Sequence, residues 1–306
     1  LVYVGKPKYL AEAGFSSFQS TNNSRPATVY VNANDGMLHA FKEADGSELF
    51  AYVPGFLGDK LTPLTDQLYT HAAFADATPA VAEAKVGADW KTVLVSGVGG
   101  GAQGVYALDV TDPTSFDKNK VLWEFTDSDS PALGNVIGAP QIVKIRDTSG
   151  ASPTYKWYAV FGSGVNNYAA DGKASTTGYP SIFILDLSFV PTATSKWVEG
   201  SNFWRIELPQ SSTAVAMGMV GVHAEVRPST NALDYIYAGD LQGNVWVLNF
   251  NKDMDASTAG VQPWSMSNMT ANATTNANLV AELTDTGGKL VPLFVAKRTS
   301  GSVDSL

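Results

Sequence analysis

One pattern of four short strands recurs along this chain of 306 residues and constrains its fold more than any other feature. The second strand of each unit is a β-branched and aromatic run that ends near glycine, and a third apolar run follows after a short turn. These third runs are MLHAF (37–41), VYALDV (105–110), IFILDL (182–187) and VWVLNF (245–250). A recurring four-strand order is typical of propeller blades and is not explained by a sandwich. We therefore predict an all-β fold, a modified β-propeller of four-stranded blades.

The repeat predicts a single propeller-like domain over residues 1–306. Its blades are predicted to cover approximately 1–54, 76–127, 138–209 and 217–255. Two stretches interrupt the pattern, an insert over residues 8–26 and a loop rich in Ser, Thr, Asn and Ala over 265–278. The run KLVPLFVAKR (289–298) predicts a partial further blade from residue 289. A closed ring typically has 4–8 blades, so we expect further chain beyond the C-terminus.

Composition excludes several classes of function. The 29 acidic and 20 basic side chains give a formal charge of −9. This charge argues against a general nucleic-acid binder, because such a protein needs a basic face to displace phosphate counterions. The absence of cysteine excludes disulfides, thiolate catalysis and thiolate metal sites. No run approaches the roughly 20 apolar residues that span a bilayer, so we expect no transmembrane helix.

Two local patterns resemble catalytic or binding motifs. GGGAQG (99–104) fits a dinucleotide-binding glycine pattern, but a strand run follows it where a helix would have to begin. A turn is therefore the better interpretation. The three histidines, His39, His71 and His223, lack the spacing of a zinc hydrolase, and His39 is predicted to be a packed or hydrogen-bonded structural residue. We predict that the chain is not an enzyme.

The stretch YAGDLQGNVW (237–246) joins two strand runs through a very short connection. Asn and Gly tolerate positive φ, and an Asp side chain can accept hydrogen bonds from nearby backbone donors. We predict that Asp240, Gly243 and Asn244 form a tight structural hairpin within a blade.

The order and number of these runs resemble one known family. LVYVGKPKYL, VYVNANDGMLHAF, FAYVP, WKTVLVSGVGGGAQGVYALDVTDP, VLWEFTD and DYIYAGDLQGNVW together are similar to the C-terminal domain of the type IV pilus-associated proteins called PilY1 or PilC. The resemblance implies a modified β-propeller related to quinoprotein repeats. It also implies a binding module at the outer membrane, the cell surface and the pilus tip, exported by a signal peptide that lies outside this sequence. Such a module supports pilus biogenesis against retraction, docks minor pilins and adheres to host-cell or abiotic surfaces.

Many members of that family carry a calcium loop, a series of alternating Asp and Asn that ends at an Asp before Y-x-Y-A-G-D-L. Asp234 matches the final ligand of this loop. The residues that precede it at two-residue steps are Ala232, Thr230, Pro228 and Val226. Calcium takes 6–8 oxygen ligands, which this loop does not supply. We expect no cofactor, little stabilisation by calcium and a short polar turn over RPSTNAL, with Asp240 as the nearest further acidic candidate in sequence.

Two other functions stay open. ANDGMLHAFKEADGSELF (33–50) resembles the repeat of quinoprotein (PQQ) dehydrogenases, although Phe50 stands where that repeat closes with tryptophan. The vicinal cysteine pair of the alcohol-oxidising members is impossible here. A scaffold propeller of outer-membrane assembly would instead bind partner strands without any tie to pili. Dye reduction with added quinone tests the first alternative, and loss of surface pili on gene deletion tests the second.

Overall fold

A computed structural model describes residues 1–8, 10–147, 152–169, 179–209 and 217–250, and the backbone of 280–282. In this part of the chain most regular structure is antiparallel strand, the single α-helix is α1 (Phe15–Thr21), and the longest 3₁₀ helix is Gly55–Thr65. Three sheets have four strands and one has five. The predicted all-β architecture of four-stranded sheets is confirmed.

The four sheets follow one another along the chain. The first contains β1 (Val2–Val4), β2 (Thr28–Asn32), β3 (Leu38–Lys42) and β4 (Glu48–Tyr52). The second contains β5 (Ala80–Val86), β6 (Asp89–Gly97), β7 (Gly104–Asp109) and β8 (Val121–Thr126). Next in the chain come β9 (Gln141–Asp147), β10 (Thr154–Gly162), β11 (Gly164–Val165), β12 (Ser181–Asp186) and β13 (Phe203–Glu207). The last strands are β14 (Gly218–Val226), β15 (Leu233–Asp240), β16 (Val245–Asn249) and β17 (Val280–Glu282).

Each sheet is a meander, and we call the four sheets blades 1 to 4. Blade 3 consists of β9, β10, β12 and β13, whereas the short β11 pairs with β14 and extends blade 4. Blade 4 was predicted to end near residue 255, but its outermost strand is β17, which pairs with β16 across a long connection. The predicted loop over 265–278 and the predicted blade from 289 lie outside the described residues.

Three apolar clusters lie between successive blades and form the core. Blades 1 and 2 share a cluster that includes Tyr30, Leu38, Leu94 and Tyr106. Blades 2 and 3 share one that includes Val93, Phe125, Phe161 and Phe183. Blades 3 and 4 share one that includes Val160, Ile184, Ile236 and Leu248. A fully buried side chain of this size contributes about 1.5–3 kcal/mol, so these interfaces hold neighbouring blades together.

The two ends of the blades differ. At one end, which we call the turn end, the second strand of each blade turns into the third and the fourth strand leads to the next blade. At the other end, the insert end, the first strand turns into the second. The predicted insert leaves β1 at this end and contains α1.

The insert packs against other blades. Phe15 is fully buried and lies edge-on to Trp90 of β6, with ring centroids 4.9 Å apart. The Trp90 indole also donates a hydrogen bond to the Ala13 carbonyl over 3.0 Å. The Arg25 guanidinium, 5% exposed, donates to the Gly5 carbonyl over 2.7 Å and pairs with Glu83 of β5 at 3.1 Å. Through these ring, hydrogen-bond and ion-pair contacts, the insert of blade 1 packs against the strands of blade 2.

Candidate functional site

The predicted hairpin residues lie in the turn between β15 and β16, at the turn end of blade 4. The Asp240 backbone N–H donates to the Asn244 carbonyl over 3.1 Å, and the Gly243 N–H donates to the Asp240 carbonyl over 3.2 Å. Gly243 has a φ of 85°, in the left-handed region that favours glycine. The three residues thus form a tight β-hairpin turn between β15 and β16.

The Asp240 carboxylate accepts four hydrogen bonds inside this turn. Oδ1 accepts from the backbone N–H groups of Gln242 and Asn244, each over 2.9 Å. Oδ2 accepts from the Asn244 side-chain amide over 2.8 Å and from the Trp246 indole N–H over 2.9 Å. A carboxylate has about four acceptor sites, so none of them is left for a ligand. Because Trp246 is in the cluster between blades 3 and 4, Asp240 links the turn to the core.

Asp234 forms an ion pair with Arg227 within the hairpin of β14 and β15. Nη2 of Arg227 lies 3.0 Å from Oδ1 of Asp234, and Nε of Arg227 lies 3.4 Å from Oδ2. Paired planar groups of this kind form the strongest type of ion pair. The sequence prediction considered only alternate residues before Asp234 and therefore missed Arg227.

The turn of this hairpin is polar and closed by its own hydrogen bonds. The Arg227 N–H donates to the Ala232 carbonyl over 2.8 Å, and the Asn231 N–H donates to the Arg227 carbonyl over 2.7 Å. Asn231 has a φ of 52°. The side-chain amide of Asn231 donates to Glu12 of the insert over 3.4 Å, and Glu12 also pairs with Lys144 of β9.

Two ion pairs lie at this hairpin. Asp234 pairs with Arg227, and Glu12 of the insert pairs with Lys144 of β9. Asp240 is at the opposite end of β15, six residues and therefore roughly 20 Å away. Asp240, the nearest acidic candidate in sequence, is therefore remote from Asp234, whereas Glu12 of the insert contacts the turn of the hairpin through Asn231. Within the described ranges, no three His, Cys, Asp or Glu side chains are grouped to hold a metal.

The glycine pattern at 99–104 forms a short 3₁₀ turn, Gly99–Gly101, and β7 follows it. Gly99 has a φ of 62°, and the Gly100 N–H donates to the Asp76 carboxylate over 3.0 Å. Since a strand follows the turn, no helix N-terminus is available for a pyrophosphate. The interpretation as a turn is confirmed.

Phe50 and His39 occupy packed or hydrogen-bonded positions in blade 1. Phe50 stacks on Phe116 with ring centroids 3.8 Å apart. The His39 ring lies between two carboxylates, with Nδ1 at 2.6 Å from Glu48 and Nε2 at 2.9 Å from Asp35. Burial lowers the pKa of His39, but the hydrogen bonds to Glu48 and Asp35 outweigh it, so the pKa is raised above its ordinary value.

Exposed apolar side chains are concentrated in the loops at the turn end. They are Val53, Leu64, Leu68, Ile137, Tyr168, Tyr179 and Leu241. Leu68 is 87% exposed and lies in the connection between β4 and β5. The insert end also has exposed apolar residues, such as Val190 and Val198, but part of it is covered by the insert. The turn end therefore has more exposed apolar side chains and is the candidate surface for a partner.

Comparison with known proteins places the chain in one family. The model of the PilY1 beta-propeller domain matches residues 1–287. The type IV pilus biogenesis factor PilY1 of Pseudomonas aeruginosa strain PAO1 is 33% identical over 254 residues, which cover 79% of this chain and 19% of that protein. A PilY1 homolog of Xylella fastidiosa strain Temecula1 is 30% identical over 97% of this chain and 18% of its own length.

A solved structure agrees with these relatives. The crystal structure of the Pseudomonas aeruginosa PilY1 C-terminal domain matches with a TM-score of 0.63 and 27% identity, over 94% of this chain and 54% of that chain. The chain spans about a fifth of the length of the curated relatives it matches. Its four successive sheets and the match over nearly its whole length show that the chain belongs to the PilY1 beta-propeller domain family.

Proposed function

We propose that this propeller is a binding module of a type IV pilus biogenesis factor, which docks minor pilins and thereby opposes pilus retraction. The observation that carries the proposal is the family match over residues 1–287, together with relatives that are named type IV pilus biogenesis factors. The matched family is not an enzyme family, which favours a binding role over a catalytic one.

The minor pilins dock, in this proposal, at the turn end. Stable protein interfaces have an apolar centre with a polar rim, and exposed apolar groups in one region mark such a surface. Leu68 and Leu241, which are 87% and 43% exposed, supply apolar contacts there. The polar turns around Asp35 and Asp240 supply the rim.

The same module contributes to adhesion to host-cell or abiotic surfaces, at the outer membrane and the pilus tip. Its formal charge of −9 disfavours nucleic acid as a partner. In the described part of the chain, no helix has the length and apolar character needed to cross a membrane.

Co-purification with the minor pilins of the same organism tests the proposal. Leu68→Glu combined with Leu241→Glu should reduce the recovered pilin at least about tenfold, because charges at the centre of an apolar interface are strongly unfavourable. The matched control is Val190→Glu with Val198→Glu, two residues that are 51% and 53% exposed in the connection between β12 and β13 at the insert end.

The same variants are then scored for surface pili in a strain that lacks the gene. The proposal predicts that the control pair restores pili and that the turn-end pair does not. Equal pilin recovery by both pairs would place the docking surface elsewhere. Normal surface pili in the deletion strain would refute the role in biogenesis and favour the scaffold alternative.

A further inference from the structure

A lysine, a glutamate and an asparagine from three separate segments meet at the hairpin between β14 and β15. Lys144 is on β9, Glu12 is in the insert of blade 1, and Asn231 is in the turn of the hairpin. One oxygen of Glu12, Oε1, contacts the Lys144 ammonium and also accepts a hydrogen bond from the side-chain amide nitrogen of Asn231 over 3.4 Å. The amine and the amide therefore lie against the same carboxylate oxygen.

These three groups are largely shielded from water. The side chains of Lys144 and Glu12 are only 8% and 18% exposed. The ring of Tyr155 lies beside the lysine, with Nζ of Lys144 at 5.1 Å from the ring centroid. Ala232, the neighbour of Asn231, is buried. A shielded lysine next to a group that can take its proton is the arrangement in which lysine acts as a nucleophile.

The backbone holds the amine and the amide in register. Lys144 forms a parallel bridge with Ala232, the residue that follows Asn231. Asn231 has a φ of 52°, and its N–H donates to the Arg227 carbonyl over 2.7 Å, which closes the turn. Two groups that are fixed side by side react far faster than the same groups free in solution.

We propose that Lys144 and Asn231 form an intramolecular isopeptide bond, with Glu12 as the proton carrier. Nζ of Lys144 gives a proton to Glu12 and attacks Cγ of Asn231, so that the Nζ–Cγ bond forms and the Cγ–Nδ2 bond breaks. Glu12, which contacts both nitrogens, passes the protons from Nζ to Nδ2. Nδ2 leaves as ammonium, which carries away the positive charge of the lysine. No atom is oxidised or reduced, so the step needs no cofactor.

The bond joins the first strand of blade 3 to the first hairpin of blade 4. Because the chain has no cysteine, a disulfide cannot provide such a link. A second lysine contact shows the difference from an ordinary ion pair. Burial raises the pKa of Asp109, but hydrogen bonds from Lys91 and Thr111 outweigh it and lower the pKa. Asp109 is therefore an ionised carboxylate, which an amine does not attack, whereas the amide of Asn231 is neutral.

Mass spectrometry of the purified full chain provides the test. The bond releases ammonia, so the intact mass should be about 17 Da below the mass calculated from the sequence. A protease that cleaves after lysine should leave Lys144 uncut and yield one branched peptide that contains both Lys144 and Asn231. An intact mass equal to the calculated mass would overturn the proposal. The same loss on a linear peptide would also overturn it, because that is the product of succinimide formation.

Substitutions then assign the roles. Lys144→Arg, Asn231→Ala and Glu12→Gln should each have the full mass calculated for the variant, and Glu12→Gln leaves both bonded residues in place. The matched control is Lys156→Arg, which replaces a lysine paired with Asp186 on blade 3 and should retain the loss of ammonia. A branched peptide in Glu12→Gln at the wild-type level would overturn the role of Glu12. The wild-type mass decides whether the bond exists even if a variant does not fold.

Discussion

Replacing Asp240 should destabilise the domain far more than replacing another turn aspartate. Asp240→Ala removes four hydrogen bonds at 2.8–2.9 Å. Two of the donors, on Asn244 and Trp246, belong to side chains that are only 4% and 5% exposed, so water replaces the lost acceptor poorly. An orphaned buried donor costs about 1–3 kcal/mol, and the two backbone donors add about 0.5–1 kcal/mol each.

The expected loss is therefore about 3–5 kcal/mol, allowing for partial access of water to the turn. For a chain of this size it corresponds to a fall in melting temperature of about 6–20 °C. Asp240→Asn should fall between wild type and Asp240→Ala, because the amide keeps one acceptor oxygen but loses the charge. Thermal unfolding followed by tryptophan fluorescence reports directly on the Trp246 environment.

The control is Asp117→Ala. Asp117 is exposed and accepts hydrogen bonds from the backbone and side chain of Asn119, over 2.8 and 3.3 Å. Its loss should cost less than about 1 kcal/mol, as is usual for a solvated turn residue. If Asp240→Ala melted like wild type but no longer bound minor pilins, the structural interpretation of this turn would be wrong and Asp240 would be a contact residue.

Three further predictions concern calcium, pH and catalysis. Millimolar calcium, compared with chelator, should change the melting temperature by less than about 2 °C. Arg227 already neutralises Asp234, and a weak ligand adds little stability. A larger rise in melting temperature that is lost in Asp234→Ala would contradict this prediction. The pKa of His39 is raised in the folded state, so its ion pairs with Asp35 and Glu48 stabilise the fold fully at pH values below the pKa that His39 has in the unfolded chain. This contribution is lost as the pH rises through the pKa of His39 in the folded state. The difference in melting temperature between wild type and His39→Gln should therefore shrink from pH 5 to pH 9, and a constant difference would argue against the charged pairs. The purified domain mixed with calcium and pyrroloquinoline quinone should not reduce a dye, and reduction above the level of free quinone would restore the dehydrogenase alternative.

The sequence by itself determined the features that depend on neighbouring residues. Alternating β-branched and aromatic runs separated by glycine turns specify short antiparallel strands, so the four-strand unit could be predicted from its repetition. The turn at Asp240 and Gly243 was also predictable, because its hydrogen bonds join residues at most six apart. Burial of the tryptophans at 123, 157, 204 and 246 follows from the same strand pattern. The sequence did not predict β17, a three-residue strand beyond a long polar stretch.

Only the tertiary structure decided which distant side chains meet. Arg227 reaches Asp234 because the two strands of a hairpin bring their ends together, and Glu12 reaches Asn231 across 219 positions of chain because the insert of blade 1 crosses to later blades. The open surface at Gly239 is likewise invisible in the sequence: a methyl group there would meet nothing within 4 Å, whereas one on Gly162, which also follows an apolar strand run, would overlap the Met219 carbonyl. Local patterns fix backbone conformation through short-range sterics and hydrogen bonds. Contacts between blades depend on how whole sheets pack, which no single stretch of sequence encodes.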